Sequence, residues 1–287
     1  RDLLRHVWAP SLRAKLPTRL KKADKRLADE FGIRAAWISF PTDSTRWQFF
    51  DVEDDQVAKV SKPGFDRLMQ EIDIRQRFER LPAPRLTKVA SDGTILVEEW
   101  VEGRPSEVSV ESLTELIDAE LGNFYDWKAR PSEVYIPEIS ARPLYDSEEP
   151  LRDSVDATKL PVGLVHGDLA PHNVIESGER TVLIDWEYAR KCVVSYDAWL
   201  YLYAAHDMHD EIGASADAKR RESFMEDFRR VIDHTLLQSA VGNLEVAQLH
   251  LIHLLERSSF LEGLDQPETR QIRHHLRSQI RDELRRL

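Results

Sequence analysis

The sequence predicts an α+β chain in two lobes: a small antiparallel sheet with one helix, then a mostly helical half. Three observations lead there. Between residues 37 and 101, short β-branched and aromatic runs alternate with turn residues. A single segment of helical period, from Phe65 to Phe78, interrupts those runs. Beyond Tyr196, apolar residues recur at helical spacing to the end of the chain. Strands grouped first and helices grouped after give α+β, not the regular alternation of a parallel α/β sheet. The expected divisions are a basic helical N-terminal extension over 1–31, a sheet lobe over 32–101 and a helical lobe over 102–287.

Residues 1–31 read as helical, with Leu3, Leu4, Val7, Trp8, Leu20, Leu27 and Phe31 at loose helical spacing. Trp37–Phe40, Arg46–Val52 and Gln56–Ser61 read as strands separated by Pro41-Thr42-Asp43 and Glu53-Asp54-Asp55, which suit turns. Pro63-Gly64 opens the helix carrying Phe65, Leu68, Met69, Ile72 and Phe78. Leu86–Ala90 and Thr94–Val101 form a hairpin through Ser91-Asp92-Gly93. After Gly103 a helix is expected over 110–128 and a long Pro-containing loop over 129–150. Val162–Val165, Val174–Ile175 and Val182–Ile184 are apolar runs bracketing a polar loop, and helices follow near 197–209, 217–240, 243–264 and 267–287. There is no internal repeat.

Composition narrows the function. The 287 residues carry 51 acidic against 40 basic side chains, a net charge of −11, which argues against nucleic acid as partner. Residues 1–30 hold +5 and residues 266–287 hold +3, leaving −19 in between, a body suited to a cationic substrate or simply a solvated surface. Cys192 is the single cysteine, expected to be a buried structural thiol, so no disulfide and no oxidising compartment is implied. No stretch approaches the roughly 18 apolar residues of a membrane span, and residues 1–20 lack the apolar centre of a signal peptide. A cytoplasmic protein is expected, and the non-Met start at Arg1 leaves open a processed or excised piece of something longer.

The chemistry concentrates in Val165-His166-Gly167-Asp168-Leu169-Ala170-Pro171-His172-Asn173-Val174 and, eleven residues after Asn173, Ile184-Asp185-Trp186-Glu187. Phosphoryl transfer needs a carboxylate to orient the attacking hydroxyl and accept its proton, and hard oxygen ligands to hold Mg²⁺ on the phosphates. An Asp followed five positions later by an Asn places base and metal ligand on one loop; an Asp at the end of the next strand completes the metal site. Asp168 to Asn173 has the D-L-x-x-x-N spacing of kinase catalytic loops. His166 suits bracing that loop better than acting as base. His166 and His172 as transition-metal ligands are disfavoured, because no second His/Cys cluster lies nearby and Asn173 is a poor zinc ligand.

On these motifs, over about residues 37–205, the sequence resembles the aminoglycoside phosphotransferase and choline kinase family, a branch of the protein-kinase-like fold. The resemblance implies a bilobal kinase fold and an enzyme using ATP and Mg²⁺. It implies Asp168 as catalytic base with His166 beside it, and Asn173 and Asp185 as metal ligands. Glu187 is implied in the outer metal shell, and Asp197 as the aspartate that holds the catalytic loop. In the sheet lobe, Lys59 on an apolar strand suits contact with the α- and β-phosphates, steadied by Glu71; Asp66 and Asp73 are weaker partners, and a solvated strand-edge lysine is the plain alternative. Glu98-Glu99-Trp100-Val101 resembles the inter-lobe hinge, where adenine would bond the Glu99 carbonyl and the Val101 amide. One departure is plain: no glycine lies between Gly32 and Gly64, so Ser44 and Thr45 stand where a Gly-rich phosphate cover would.

Only twelve residues separate Asp185 from Asp197, too few for the segment on which a protein kinase holds a peptide, and no A-P-E-like element is present. The expected acceptor is therefore a hydroxyl of a small polar molecule: amino alcohol, aminoglycoside or sugar. Trp199, Tyr201 and Tyr203 with Asp207, Asp210 and Glu211 read either as an amine-binding wall or as core. In the last helix, Ile272, Leu276, Ile280, Leu284 and Leu287 beside Arg273, Arg277, Arg281 and Arg285 read as packing, a coiled-coil partner or peripheral membrane contact. Two other functions stay open: a kinase domain of a larger protein acting on a glycan or lipid-linked saccharide, and a nucleotide-binding pseudokinase.

Overall fold

The computed structural model describes residues 6–8, 16–39, 45–78, 81–105, 109–124, 162–178, 180–208, 214–235, 238, 245–263, 269–284 and 286. The expected loop over 129–150, the turn residues Pro41 to Ser44, Asp210, Glu211, Arg285 and Leu287 lie outside them. The chain divides into two compact units, one of Arg1–Arg104 with Ile175–Ala189, the other of Pro105–Val174 with Arg190–Leu287.

The first unit is built on a six-stranded antiparallel sheet in the order β1-β2-β3-β4-β6-β5. Its strands are β1 (His6–Trp8), β2 (Trp37–Ser39), β3 (Arg46–Asp51), β4 (Gln56–Ser61), β5 (Leu86–Val89) and β6 (Ile95–Glu99). The period of two sorts their side chains between the faces. Phe49, Ala58, Val60, Ile95 and Val97 meet Leu20, Ala23, Leu27 and Phe31 in one core. Those four come from α1 (Thr18–Arg26) and the π-helical turn Leu27–Phe31. On the other face, Leu96 packs with Leu68 and Ile72 of α2 (Arg67–Arg77).

Among the described residues, the helix expected over 1–31 is found from Thr18, while His6–Trp8 pairs antiparallel with β2. A His-Val-Trp run suits a half-buried edge strand better than a helix turn. The stripe expected on α2 is also narrower: Phe65 and Met69 are exposed, because the inward face is shared with Glu71 and Arg75. The β5–β6 hairpin turns as expected, with Gly93 at φ 67° and the Asp92 carboxylate accepting from the Thr94 amide at 3.1 Å.

A three-stranded sheet runs β10-β9-β7, of Arg180–Leu183, Val174–Ser177 and Arg104–Pro105. A methyl group at Gly103 would overlap the Glu176 carbonyl and the Ile175 side chain, which explains the glycine after the expected hinge.

In the second unit, β8 (Val162–Val165) pairs antiparallel with β11 (Arg190–Val193), a strand not foreseen in the sequence. Among the described residues, five helices accompany it: α3 (Val110–Phe124), α4 (Tyr196–Ala205), α5 (Ala214–Asp233), α6 (Val246–Gly263) and α7 (Thr269–Leu284). Every residue of α4 from Tyr196 to Tyr203 is buried, as is α6 from Leu249 to Glu256, so both are interior helices, buried on all sides and carrying Asp197, His250, His253 and Glu256 inward. Trp199, Tyr201 and Tyr203 are therefore core, and the amine-binding wall is not built from them. The stripe on α7 packs inward through Leu276 and Ile280. Among the described residues, no helix is long and apolar enough to cross a membrane.

Candidate active site

In the first unit, β3, β4, β6, α2 and the end of β10 deliver a buried group of charges. Lys59 Nζ lies 2.9 Å from Glu71 Oε1, 3.0 Å from Glu98 Oε1 and 3.3 Å from Asp185 Oδ1, and the lysine is 2% exposed. Arg46, also buried, reaches Asp185 Oδ1 at 2.5 Å, Glu187 Oε2 at 2.9 Å and Glu71 Oε2 at 3.6 Å. Arg75, one turn after Glu71 on α2, pairs with both Glu71 and Glu98. Three cations thus meet four carboxylates. Burial alone would pull Lys59 and Arg46 down, but the surrounding carboxylates prevail and raise both. Burial would likewise raise Glu71, and Lys59, Arg46 and Arg75 outweigh it and lower it. Lys59, Arg46, Arg75 and Glu71 are therefore held in their charged forms.

Such burial is poor value for stability, since well-packed apolar residues do as well or better. Its retention points to function. Asp185 adds a second sign, standing at φ 68° and ψ 56°, a left-handed conformation that non-glycine residues seldom adopt. The short turn that follows, Trp186–Tyr188, is clasped by α2: Gln70 Nε2 donates to the Ala189 carbonyl at 2.6 Å, and the Arg67 guanidinium sits 4.5 Å from the Tyr188 ring centroid.

Beside these charges lies a cavity of about 150 Å³, lined among others by Gln48, Phe50, Lys59, Glu99, Val101 and Asp185. Glu99 and Val101, the expected hinge contacts, thus border the same space as Lys59. The Glu99 carboxylate and amide are engaged with the backbone of Arg85 at 3.1 and 3.0 Å, which fixes the strand end.

In the second unit, the loop after β8 is held from α4. The Asp197 carboxylate accepts the amides of His166 at 2.5 Å and Gly167 at 3.0 Å. Burial pushes this carboxyl up, and His166 together with those two amides pulls against that shift. His166 is 1% exposed and accepts the Asp168 amide at 3.3 Å through Nδ1, a bracing position. Asn173 Nδ2 donates to the Asp168 carbonyl at 2.8 Å, leaving its carbonyl oxygen as the atom able to ligate a cation. Arg257 of α6 brings Nη2 to 3.5 Å from Asp168 Oδ1.

The structure therefore gathers Lys59, Glu71 and Asp185 with the cavity-lining Glu99 and Val101 in one unit, and His166, Asp168 and Asn173 on one braced loop in the other. Asp66 and Asp73 stay away from Lys59; Asp73 faces the exposed Arg77 at 3.8 Å. Thr45, expected near phosphate, donates its hydroxyl to Glu187 at 2.7 Å, and Ser44 lies outside the described residues. Glu187 holds Arg46. Sequence reasoning missed Arg46, Arg75, Glu98 and Arg257. For two of them the placement shows only in the register: Arg46 shares the strand face of Gln48 and Phe50, and Glu98 pairs with Val57 beside Lys59.

Comparison with solved structures shows the same fold at low identity. The crystal structure of choline kinase LicA from Streptococcus pneumoniae aligns with a TM-score of 0.58 at 13% identity, over 94% of this chain and 100% of that one. The GDP complex of aminoglycoside 2'-phosphotransferase-IIIa gives 0.57 at 14%, over 94% and 99%. Amicoumacin kinase hAmiN, in complex with AMP-PNP, Ca²⁺ and Ami, gives 0.51 at 12%, over 96% of each chain. No curated protein sequence matches the chain. The α+β, protein-kinase-like class expected from the sequence is the one found. Residues 41–232, which contain both the buried charges and the braced Asp168 loop, match the model of the phosphotransferase enzyme family (APH); the chain belongs to that family and is a kinase.

Proposed function

We propose that the chain transfers the γ-phosphoryl group of ATP, with Mg²⁺, to a hydroxyl of a small polar acceptor: an amino alcohol, an aminoglycoside or a sugar. The observation that carries this reading is the buried Lys59, ion-paired to Glu71 and Asp185 at a cavity that the hinge residues also line. The named substrates and nucleotides of the solved relatives, choline, amicoumacin, aminoglycoside, GDP and AMP-PNP, support a nucleotide and a small acceptor.

The residues divide the work as follows. Adenine would bond the Glu99 carbonyl and the Val101 amide, and Lys59 would draw in the phosphates, its charge secured by Glu71. Asp168 would orient the acceptor hydroxyl and take its proton. The acceptor oxygen then bonds the γ-phosphorus as the bond from that phosphorus to the β–γ bridging oxygen breaks, and ADP leaves. Asp185 and Asn173 are the residues that would hold the metal. The donor set fits: both offer hard oxygens, and Asp185 Oδ1 already draws two cationic side chains. Mg²⁺ takes few protein ligands and keeps its waters, so two such oxygens suffice. When bound, the metal supplies charge neutralisation on the phosphates.

The experiment is Mg²⁺-dependent ADP release over a panel of choline, ethanolamine, aminoglycosides and simple sugars, with Asp168→Asn as control. Release with one class is expected, falling by about 10²–10⁴ in the variant while ATP binding persists. Full turnover in Asp168→Asn would remove Asp168 from its role.

A further inference from the structure

We propose that Arg46 is a second phosphate-binding cation of the nucleotide site, placed to take the distal phosphate and standing in for the glycine-rich cover that this chain lacks. This rests on the nucleotide-binding reading above and adds to it a contact that the sequence did not disclose.

The sheet sets an axis. β3 and β4 pair with Asp51 opposite Gln56, Gln48 opposite Lys59 and Arg46 opposite Ser61, while Gln56 pairs on its other side with Glu99. The hinge end, Lys59 and Arg46 therefore follow one another along the strands, with Arg46 about 7 Å beyond Lys59. Arg46, Gln48 and Phe50 alternate onto one face, and Gln48 and Phe50 line the cavity. A nucleotide with its base at the hinge and its first phosphates at Lys59 would continue toward Arg46.

The guanidinium is already anchored. Nη1 lies 2.9 Å from Glu187 Oε2, which the Thr45 hydroxyl also holds, while Nη2 lies 2.5 Å from Asp185 Oδ1. Asp185 is the proposed metal ligand. Were Asp185 Oδ1 to hold the metal, Arg46 Nη2 would turn from it to a phosphate oxygen, while Glu187 keeps Nη1 in place. Arginine suits this better than lysine, because its fork bridges an anchor and an anion together. No glycine lies between Gly32 and Gly64, so a loop shaped by glycines to wrap phosphates is not available to do it.

The test is equilibrium binding of ATP, ADP and adenosine to the whole chain in Mg²⁺ with no acceptor present, so that Asp185 can exchange Arg46 for the metal while transfer does not contribute. The readout is the ratio of adenosine to ATP dissociation constants, which cancels general damage to the pocket. Wild type is expected to bind ATP more tightly than adenosine. Arg46→Ala should cut that ratio about 10- to 100-fold, and change ADP less than ATP. Arg46→Lys should fall between. Should Arg46→Ala fail to fold, Arg46→Gln is read in the same way. An unchanged ratio in a folded Arg46 variant overturns the assignment while leaving nucleotide binding intact. Wild type that binds neither adenosine nor ATP, with or without Mg²⁺, overturns the nucleotide reading itself.

Discussion

Asp168 has a buried cation for a neighbour, and this decides how the proposed base is held. Arg257 is only 12% exposed on its side chain, stacks within 5.7 Å of the Phe260 ring centroid and meets Asp168 Oδ1 at 3.5 Å. Burial would lower the arginine, yet Tyr196 and Asp168 raise it, so the charge is permanent. It fixes one carboxylate oxygen, while the other, 3.5 Å from Asn173 Nδ2, is the one an acceptor would meet. Arg257 acts through Asp168, as a positioning residue. Replacing it by Met preserves the stem's packing but frees the carboxylate to rotate. Steady-state kinetics of Arg257→Met should show kcat down about 10-fold with KM for the nucleotide unchanged, and Arg257→Lys should restore part of it. A rise in nucleotide KM with kcat intact would place Arg257 elsewhere in the reaction.

At the scale of elements, α2 is a helix whose inward face is half ionic. Glu71 and Arg75 are one turn apart and both point at the sheet, with Leu68 and Ile72 beside them. Glu71 is 0% exposed and has Lys59, Arg46 and Arg75 about it. Removing it leaves three buried cations with one anion fewer, the situation that costs about 3–5 kcal/mol. Urea unfolding of Glu71→Ala should show a loss of that order, whereas Asp73→Ala, on the exposed face, should be within about 0.5 kcal/mol of wild type. The contrast also marks what the sequence could disclose. A lysine on an apolar strand followed by a helical carboxylate is a local pattern, and the His166 to Asn173 spacing lies within one loop; both were legible. Arg46 meets Glu187 across 141 residues of chain, and nothing near Arg46 separates a buried arginine from one at a solvated strand start. Arg190–Val193 pairs with β8, but in the sequence it merged with the apolar run leading into α4. The aromatic residues of α4 read in the sequence either as core or as an amine-binding wall, and it took the packing of α5 and α6 against them to make them core.

Over the whole molecule, buried histidines tie stability to pH. His250 and His253 of α6 lie in an aromatic core with Tyr196, Trp199, Phe224 and Phe228. His250 Nδ1 accepts the Trp199 indole N–H at 2.9 Å, and His253 Nε2 lies 2.9 Å from the Ser195 hydroxyl. Burial, with Arg221, His253 and Arg286 adding to it, pushes His250 from 6.5 down to about 3. His253 is also lowered by burial, with Glu256 and Asp197 pulling it back up. A histidine whose folded pKa lies below its unfolded one takes up its proton only on unfolding. The unfolded state therefore binds more protons between about pH 6.5 and 3, and stability falls as pH drops through that window. Between pH 7.5 and 5.5, His250 alone should remove about 1 kcal/mol. Thermal unfolding at those two pH values should show the wild-type midpoint falling on acidification. His250→Gln, which keeps an acceptor for Trp199 but cannot titrate, should start lower and fall less. If the variant and the wild type fell equally, the buried imidazole of His250 would not be the proton-linked group, and the acid sensitivity would belong to the carboxylates of the two sites.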